Sequence, residues 1–317
     1  MKKVLITSRS FGKNGSEPFS ILDNADILYT QLGTDFSYEK FCDIVADYDA
    51  LIMGGHKFDD IDMDRCKNLK IIAKYGAGLD NINLPKAKEL GITVTNTPAT
   101  NSNAVADLTF AHILNCSRGV VFASNAVKNG EWKPVTGKEV YAKTLGIVGF
   151  GNIAKNVAKR AGGFSMKVLA YDPFVKEVPD ELKSYTTLCE LDLLVAQSDI
   201  ISINSPLTDQ TKGLFDKSVI MKMKKDAILI NAGRGGIINE SDLYDCMKEG
   251  HLFACGLDVC ENEPIERDSP LLALDNVIIT PHMGMYSIEA LNAVGVICAQ
   301  NVVKKLTGGS PEFVVSG

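Results

Sequence analysis

Residues 144–172 read TLGIVGFGNIAKNVAKRAGGFSMKVLAYD. An apolar run at 145–148 enters Gly149-Phe150-Gly151, a helical stretch follows, and a second apolar run at 168–171 ends on Asp172. No other segment constrains the fold so strongly. Strand, glycine turn, helix, strand and acid in this order make a dinucleotide-binding βαβ unit. Gly149 makes the tight turn, and Gly151 lets the backbone approach a pyrophosphate whose charge rests on helix N-terminal amides. Asp172 is placed to accept hydrogen bonds from the adenosine ribose hydroxyls, and its charge repels a 2′-phosphate, which favours NAD over NADP. Ala154 stands at the third glycine position, a variant that slightly loosens helix–strand packing.

The unit begins nearly halfway along a chain of 317 residues, a length that suits about two domains. Sheet-forming material precedes it. Apolar runs at 4–7, 50–53, 69–73 and 92–95 alternate with helical patterns such as 38–48 and 84–90, which reads as a parallel α/β sheet. Residues 101–129 hold apolar positions at helical spacing without proline. They predict one long, mostly buried helix capped by Ser102 or Asn103. In the loop at 128–143, the only tryptophan, Trp132, suits either a local core plug or an interface anchor. Runs at 199–203, 227–231, 254–259 and 276–280 predict further strands, with helices at 217–223 and 240–249. A closing helix over 287–306 has Ser287 as its cap, and a short last segment covers 312–315.

The expected fold class is therefore α/β, with two Rossmann-like, doubly wound parallel-sheet domains. Residues 1–99 plus 287–317 form a flavodoxin-like domain, discontinuous in sequence, that takes the substrate. Residues 100–286 form the inserted Rossmann domain that takes NAD. A cleft between two lobes is the expected place for a small ligand.

Composition excludes several function classes. Hydrophobic residues are 45%, charged residues 23% and the net charge is −6. This is the balance of a soluble globular protein, and the acidic charge argues against nucleic acid or an anionic membrane surface as partner. No apolar run reaches spanning length, and the start MKKVLITSRSFG is too short in apolar residues for a signal peptide. The expected location is cytoplasmic. Eight scattered cysteines form no Cys-x-x-Cys pair, and the histidines number four. Reduced thiols and no metal site are expected.

Three predicted strands end in residues with chemistry: Asn231-Ala232-Gly233-Arg234-Gly235-Gly236, Asp258-Val259-Cys260-Glu261-Asn262-Glu263-Pro264 and Thr280-Pro281-His282-Met283-Gly284. Ligands in open α/β sheets bind beyond such carboxyl ends. Reducing a 2-oxo acid by hydride requires a proton donor for the carbonyl oxygen and a cation for the carboxylate. His282 suits the first task, since imidazole titrates near neutrality. Glu263 beside it would favour the imidazolium and fix the ring, and Arg234 offers a two-pronged clamp. Taken singly, an Arg at a strand end is usually a solvated or salt-bridged surface residue, Glu-Pro is usually a turn, and a Pro-His pair in a loop is more often structural; together at successive strand ends they point to a site.

The chain resembles the D-isomer-specific 2-hydroxyacid dehydrogenase family over almost its whole length. The likeness rests on Gly76-Ala77-Gly78-Leu79-Asp80-Asn81-Ile82, on 143–151, on Tyr171-Asp172-Pro173 and on the three strand ends above. The resemblance implies Arg234 at the substrate, with Glu263 and His282 as the acid–base pair. It also implies that Ala77 and Gly78, in the segment Lys74-Tyr75-Gly76-Ala77-Gly78, hold the substrate carboxylate; successive amides there suit an anion nest or a plain tight turn. NAD contacts are implied at Thr109, Gly149, Phe150, Gly151, Asn152, Ile153 and Asp172. Others are implied at Asn204, Ser205, Pro206 and Thr211, at Ala232, Gly233 and Arg234, and at Asp258, His282 and Gly284. A homodimer through 101–143 is implied as well.

Departures are visible. Asn204-Ser205-Pro206 stands where many members carry a histidine, Asp107 replaces a commoner glutamate, and Gly54 and Gly55 fall where members often present an arginine. Lys57 is either a replacement cation or a solvated lysine. No appended regulatory domain is expected after residue 317. The sequence reading is an NAD-dependent oxidoreductase acting on a small 2-hydroxy or 2-oxo acid, phosphoglycerate dehydrogenase-like or glyoxylate/hydroxypyruvate reductase-like. The alternatives are an NAD-sensing, co-repressor-like binding protein and a formate-oxidising relative, whose kind places glutamine where Glu263 stands.

Overall fold

A computed structural model describes residues 1–33 and 36–316. Thr34, Asp35 and Gly317, which belong to the first expected domain, lie outside the described residues. The chain divides into two compact units, Met1–Asn101 with Met285–Gly317, and Ser102–Gly284.

The chain opens with β1 (Lys3–Ile6), α1 (Glu17–Asp23), β2 (Leu28–Gln31), α2 (Tyr38–Val45), β3 (Ala50–Met53), α3 (Asp60–Arg65), β4 (Ile71–Lys74), α4 (Leu84–Glu89) and β5 (Thr93–Thr95). The second unit holds α5 (Ser102–Arg118), α6 (Val120–Lys128), β6 (Thr144–Val148), α7 (Asn152–Gly163), β7 (Lys167–Tyr171), β8 (Thr186–Leu188), α8 (Leu191–Gln197) and β9 (Ile200–Ile203). It continues through α9 (Lys217–Ile220), β10 (Ile228–Asn231), α10 (Glu240–Lys248), β11 (Ala254–Leu257) and β12 (Val277–Ile279). The chain then returns to the first unit with α11 (Ile288–Leu306) and β13 (Val314–Ser316).

In the first unit the sheet runs β13-β5-β4-β3-β1-β2. Its five parallel strands follow the flavodoxin-like order 2-1-3-4-5, and β13 adds an antiparallel edge beside β5. β3 (ALIM) and β4 (IIAK) are buried at every position. That is why their sequences read as continuous apolar runs: a parallel strand covered on both faces has no solvent side. Leu291, Val294 and Val302 of α11 pack over one face with Val4 and Ile52, while Phe41, Met63 and Ala87 cover the other with Leu51 and Ile72. Ser287 caps α11 as expected, accepting from the Ala290 amide at 3.1 Å, a contribution of about 1 kcal/mol.

In the second unit the sheet runs β12-β11-β10-β9-β6-β7-β8, the Rossmann order 3-2-1-4-5-6 with one more strand. The order reverses between β6 and β9, which pair in parallel from Leu145↔Ile200 to Val148↔Ile203. This switch point opens beyond Val148 and Ile203, where Gly149 and Asn204 follow. Phe110 and Ile113 of α5 and Val157 and Ala158 of α7 fill one side of the sheet, and Leu194 and Leu243 fill the other.

Residues 101–129 do not form one helix. α5 ends at Arg118, Gly119 turns left-handed at φ +61°, and α6 starts anew with no buried residue. The apolar spacing of Val120, Val121 and Val127 continues past the break, but these side chains face solvent. Periodicity marks an apolar face and does not say what covers it. Neither expected cap precedes the helix, which begins at Ser102 itself. Trp132 is 88% exposed and so plugs no core. All eight cysteines are free, seven of them buried. Among the described residues no helix is long and apolar enough to cross a membrane.

Candidate active site

The turn after β6 is built as its glycines require. Gly149 sits at φ +84° and donates to the Tyr171 carbonyl at 2.8 Å. A Cβ there would lie 2.9 Å from the backbone of Ser205, so only glycine fits between the two strand ends. Gly151 is the N-cap of the 12-residue α7, makes no side-chain cap bond, and has no atom within 4 Å of where a Cβ would stand. Open space thus faces the uncapped first-turn amides of Asn152 and Ile153, the arrangement that accepts a pyrophosphate. Asp172 braces this turn: one carboxylate oxygen accepts from Phe150 N at 2.8 Å and the other from Phe174 N at 2.9 Å. A carboxylate offers about four acceptor positions, so capacity for ribose hydroxyls remains. The residues present fit a dinucleotide.

The expected acid–base pair, His282 and Glu263, comes from two further loops. His282 Nδ1 and Glu263 Oε2 are 2.7 Å apart. Burial pushes the Glu263 pKa up, but the His282 hydrogen bond and charge, the Cys260 amide and the Arg234 guanidinium outweigh it and leave it below its ordinary value. Glu263 is therefore a carboxylate that can only accept, and the proton sits on His282 Nδ1. That leaves Nε2 as the atom able to exchange a proton with a ligand. The His282 backbone is left-handed at φ +49°, and its amide donates to Asp258 O at 2.8 Å and to Thr280 O at 2.9 Å.

Arg234 leaves β10 through a tied turn. Asn231 Nδ2 donates to the Arg234 carbonyl at 2.9 Å, Gly233 N donates to Asn231 Oδ1 at 3.0 Å, and Arg234 Nη1 donates to Gly233 O at 2.9 Å. Gly235 lies so close to the Cys260 carbonyl that a Cβ would stand 1.8 Å from it. The Arg234 loop and the 258–264 loop are thereby locked together, which puts the guanidinium within electrostatic reach of Glu263.

In the first unit the ends of β1, β3 and β4 converge. Lys74 is 8% exposed and donates to the Gly54 carbonyl at 2.6 Å. Asn81 Nδ2 ties the same carbonyl and that of His56. His56 Nδ1 donates to Lys57 O at 2.8 Å, and Nε2 faces Thr7 Oγ1 at 2.8 Å. Burial, aided by the Lys74 charge, lowers the His56 pKa. The neutral ring thus carries its proton on Nδ1 and accepts from Thr7. In the next loop Thr97 N donates to Gly76 O at 3.1 Å and Asn96 Nδ2 donates to Ala77 O at 2.9 Å. A trans peptide points its N–H opposite its C=O. The amides of Ala77 and Gly78 therefore leave the loop together on the side away from residues 96–97, the geometry of an anion nest.

The remaining expected residues fall as follows. Ala232, Gly233 and Arg234 stand beyond β10, Asn204, Ser205 and Pro206 beyond β9, and Asp258 beyond β11. Thr211 Oγ1 donates to Pro206 O at 2.7 Å and shapes that loop. Thr109 is fully buried, its hydroxyl bonded to Val105 O at 2.8 Å. Asp107 is a surface partner of Arg160 at 2.6 Å. Tyr75 is buried and donates to Leu291 O at 2.7 Å. Sequence reasoning passed over His56 and His112. His56 follows two glycines in a loop, and His112 occupies an apolar position of a helix; neither has a motif around it.

Strand order, glycine turn and the His282–Glu263 pair together define a dinucleotide-dependent oxidoreductase class. Residues 110–284 match the family model described as "D-isomer specific 2-hydroxyacid dehydrogenase, NAD binding domain", and the chain belongs to that family. It is 46% identical over 244 residues to a hydroxypyruvate reductase of Thermotoga maritima, covering 76% of this chain and 78% of that protein. It is 38% identical over 319 residues to a D-3-phosphoglycerate dehydrogenase of Methanocaldococcus jannaschii, covering all of this chain but only 60% of that longer protein. The crystal structure of the TT0316 protein from Thermus thermophilus superposes with a TM-score of 0.92 at 33% identity, covering 99% of both chains.

Proposed function

We propose that this protein interconverts a small D-2-hydroxy acid and its 2-oxo acid, with NAD bound at Gly149–Ile153 and Asp172. The observation that carries this reading is the 2.7 Å contact between His282 and an ionised Glu263, with Arg234 locked beside them. When bound, the cofactor supplies the hydride for the substrate 2-carbon or takes it back. In the direction of reduction, His282 Nε2 gives a proton to the carbonyl oxygen, and in oxidation it recovers that proton from the hydroxyl. Glu263 fixes the ring and its tautomer. Arg234 holds the carboxylate and polarises the carbonyl. Lys74 and the amides of Ala77 and Gly78 are assigned to the substrate carboxylate.

The substrates that fit are phosphoglycerate-like acids or the unphosphorylated glyoxylate/hydroxypyruvate group. NADH oxidation is to be measured against glyoxylate, hydroxypyruvate, phosphohydroxypyruvate and pyruvate. At least one is expected to be turned over. His282→Ala is expected to lower kcat by about 10²- to 10⁴-fold with NADH binding intact; full activity in that variant would sink the mechanism. We also propose a homodimer. No residue of α6 is fully buried, and Val120 (58%) and Val127 (47%) on it and Trp132 (88%) in the loop after it are exposed. Light scattering of the wild type and of Val127→Glu tests this assignment.

A further inference from the structure

α5 faces the sheet with Ala106, Thr109, Phe110, Ile113 and Cys116, all buried. His112 lies among them, 3% exposed, at a position where helical spacing asks for an apolar side chain. Burying an imidazole costs free energy unless its nitrogens are bonded. Here one is and one is not. Nε2 lies 2.9 Å from Thr280 Oγ1, while Nδ1 has no hydrogen-bond partner.

The next bond decides the tautomer. Thr280 Oγ1 lies 2.6 Å from Asp258 Oδ1. A carboxylate can only accept, so the threonine hydroxyl gives its single proton to Asp258. Thr280 must then accept from His112, and Nε2 carries the ring proton. The bare Nδ1 is an unused acceptor, which costs less than a buried N–H without a partner. Burial lowers the His112 pKa against the Asp258 charge, in keeping with a neutral ring.

From Asp258 the chain of bonds reaches the reacting loop. Asp258 Oδ1 also accepts from Met283 N at 2.9 Å, Oδ2 accepts from Gly284 N at 2.8 Å, and the Asp258 carbonyl takes His282 N at 2.8 Å. One carboxylate therefore holds the backbone that follows His282 and the side chain of Thr280 that precedes it, while His282 itself is held left-handed. We infer that His112 is a positioning residue. By donating to Thr280 it aims the threonine hydroxyl at Asp258, and so sets the geometry of the 282–284 loop that carries His282. The link to catalysis rests on the function proposed above; the link to loop geometry does not.

The test uses the full chain with His112→Met, Thr280→Val, their combination, and His112→Gln. Met fills the space without a donor, whereas the Gln amide can restore one near Nε2. Two readouts are taken: amide hydrogen exchange at Met283 and Gly284, and steady-state kinetics with whichever 2-oxo acid is turned over. In His112→Met both amides are expected to exchange about 10-fold faster. The kcat is expected to fall about 5- to 20-fold, with KM changed by less than about twofold. His112→Gln recovers most of both losses. The double variant is no worse than Thr280→Val alone, because the two residues act in series.

Unchanged exchange and kcat in His112→Met overturn the proposal, even if its melting temperature falls, because that pattern is packing alone. So do independent, additive losses, or a His112→Gln as impaired as His112→Met. Should His112→Met fail to fold, Thr280→Val and His112→Gln still decide the outcome, one by breaking the bond and one by keeping it. If the wild type turns over no 2-oxo acid, the functional reading fails, and the exchange arm alone accepts or rejects the positioning role.

Discussion

The first strand of each unit, β1 or β6, is a largely buried parallel strand with neighbours on each side of it, yet the loops that follow differ. β1 runs into Thr7-Ser8-Arg9-Ser10 and a 7-residue helix whose Ser16 makes no side-chain cap bond. β6 runs into Gly149-Phe150-Gly151 and a helix of 12 residues. Farther along, β4 ends in the buried cation Lys74, while the second strand of the other sheet is followed by the acid Asp172. The architecture is shared and the chemistry is opposite. A doubly wound sheet offers a place for ligands, and the few residues past each strand end decide which ligand is taken.

That contrast can be broken most severely at Gly149. Gly149→Val forces a side chain into the Ser205 backbone at a left-handed φ, and NADH affinity is expected to fall by more than about 100-fold by fluorescence titration. Gly55→Ala in the first unit, where a Cβ meets nothing within 4 Å, should leave it unchanged. A smaller effect is expected at Lys74→Met: the KM for the 2-oxo acid rises about tenfold and NADH affinity stays the same. Equal loss of both would erase the division of labour between the units. Glu263→Gln keeps the shape of the pair and removes the charge. A fall in kcat of about tenfold is expected, with NADH affinity unchanged, since an amide carries no charge opposite the ring.

The smallest effect concerns stability. The folded His56 pKa lies below the ordinary 6.5, so below that pH the unfolded chain binds more protons. Stability is full above the unfolded value and is lost as the pH falls through it. The melting temperature should therefore drop between about pH 7.5 and about pH 5.5, and the drop should be shallower in His56→Gln.

The same contrast governs what could be read from the sequence. The buried strands of both sheets were legible because fully buried parallel strands are continuous apolar runs, as in ALIM and IIAK; β8 (TTL), with one buried position of three, was not. The Gly149 turn was legible because its backbone conformation excludes other residues, and the loops that carry Arg234, Glu263 and His282 because each follows a buried strand and holds glycine or proline. β2 was not legible: LYTQ is exposed at all four positions, so no apolar pattern distinguishes it. The break at Gly119 was hidden because apolar residues continue on its far side. His112 and His56 escaped notice because their roles rest on partners 168 and 49 residues away, a separation no local motif encodes.

The antiparallel strand β13 and helix α11 complete a sheet whose other strands come from the first third of the chain. During synthesis the second unit has all its residues by Gly284, while β3 and β4 still lack the helix that covers one of their faces. The dinucleotide half can therefore fold on the ribosome first, although its partner was begun earlier. The earlier half must carry an uncovered apolar sheet face for almost two hundred residues of elongation. Chaperone dependence in this protein should accordingly map to residues 1–101, and truncation before α11 should leave a folded second unit attached to an aggregation-prone remnant.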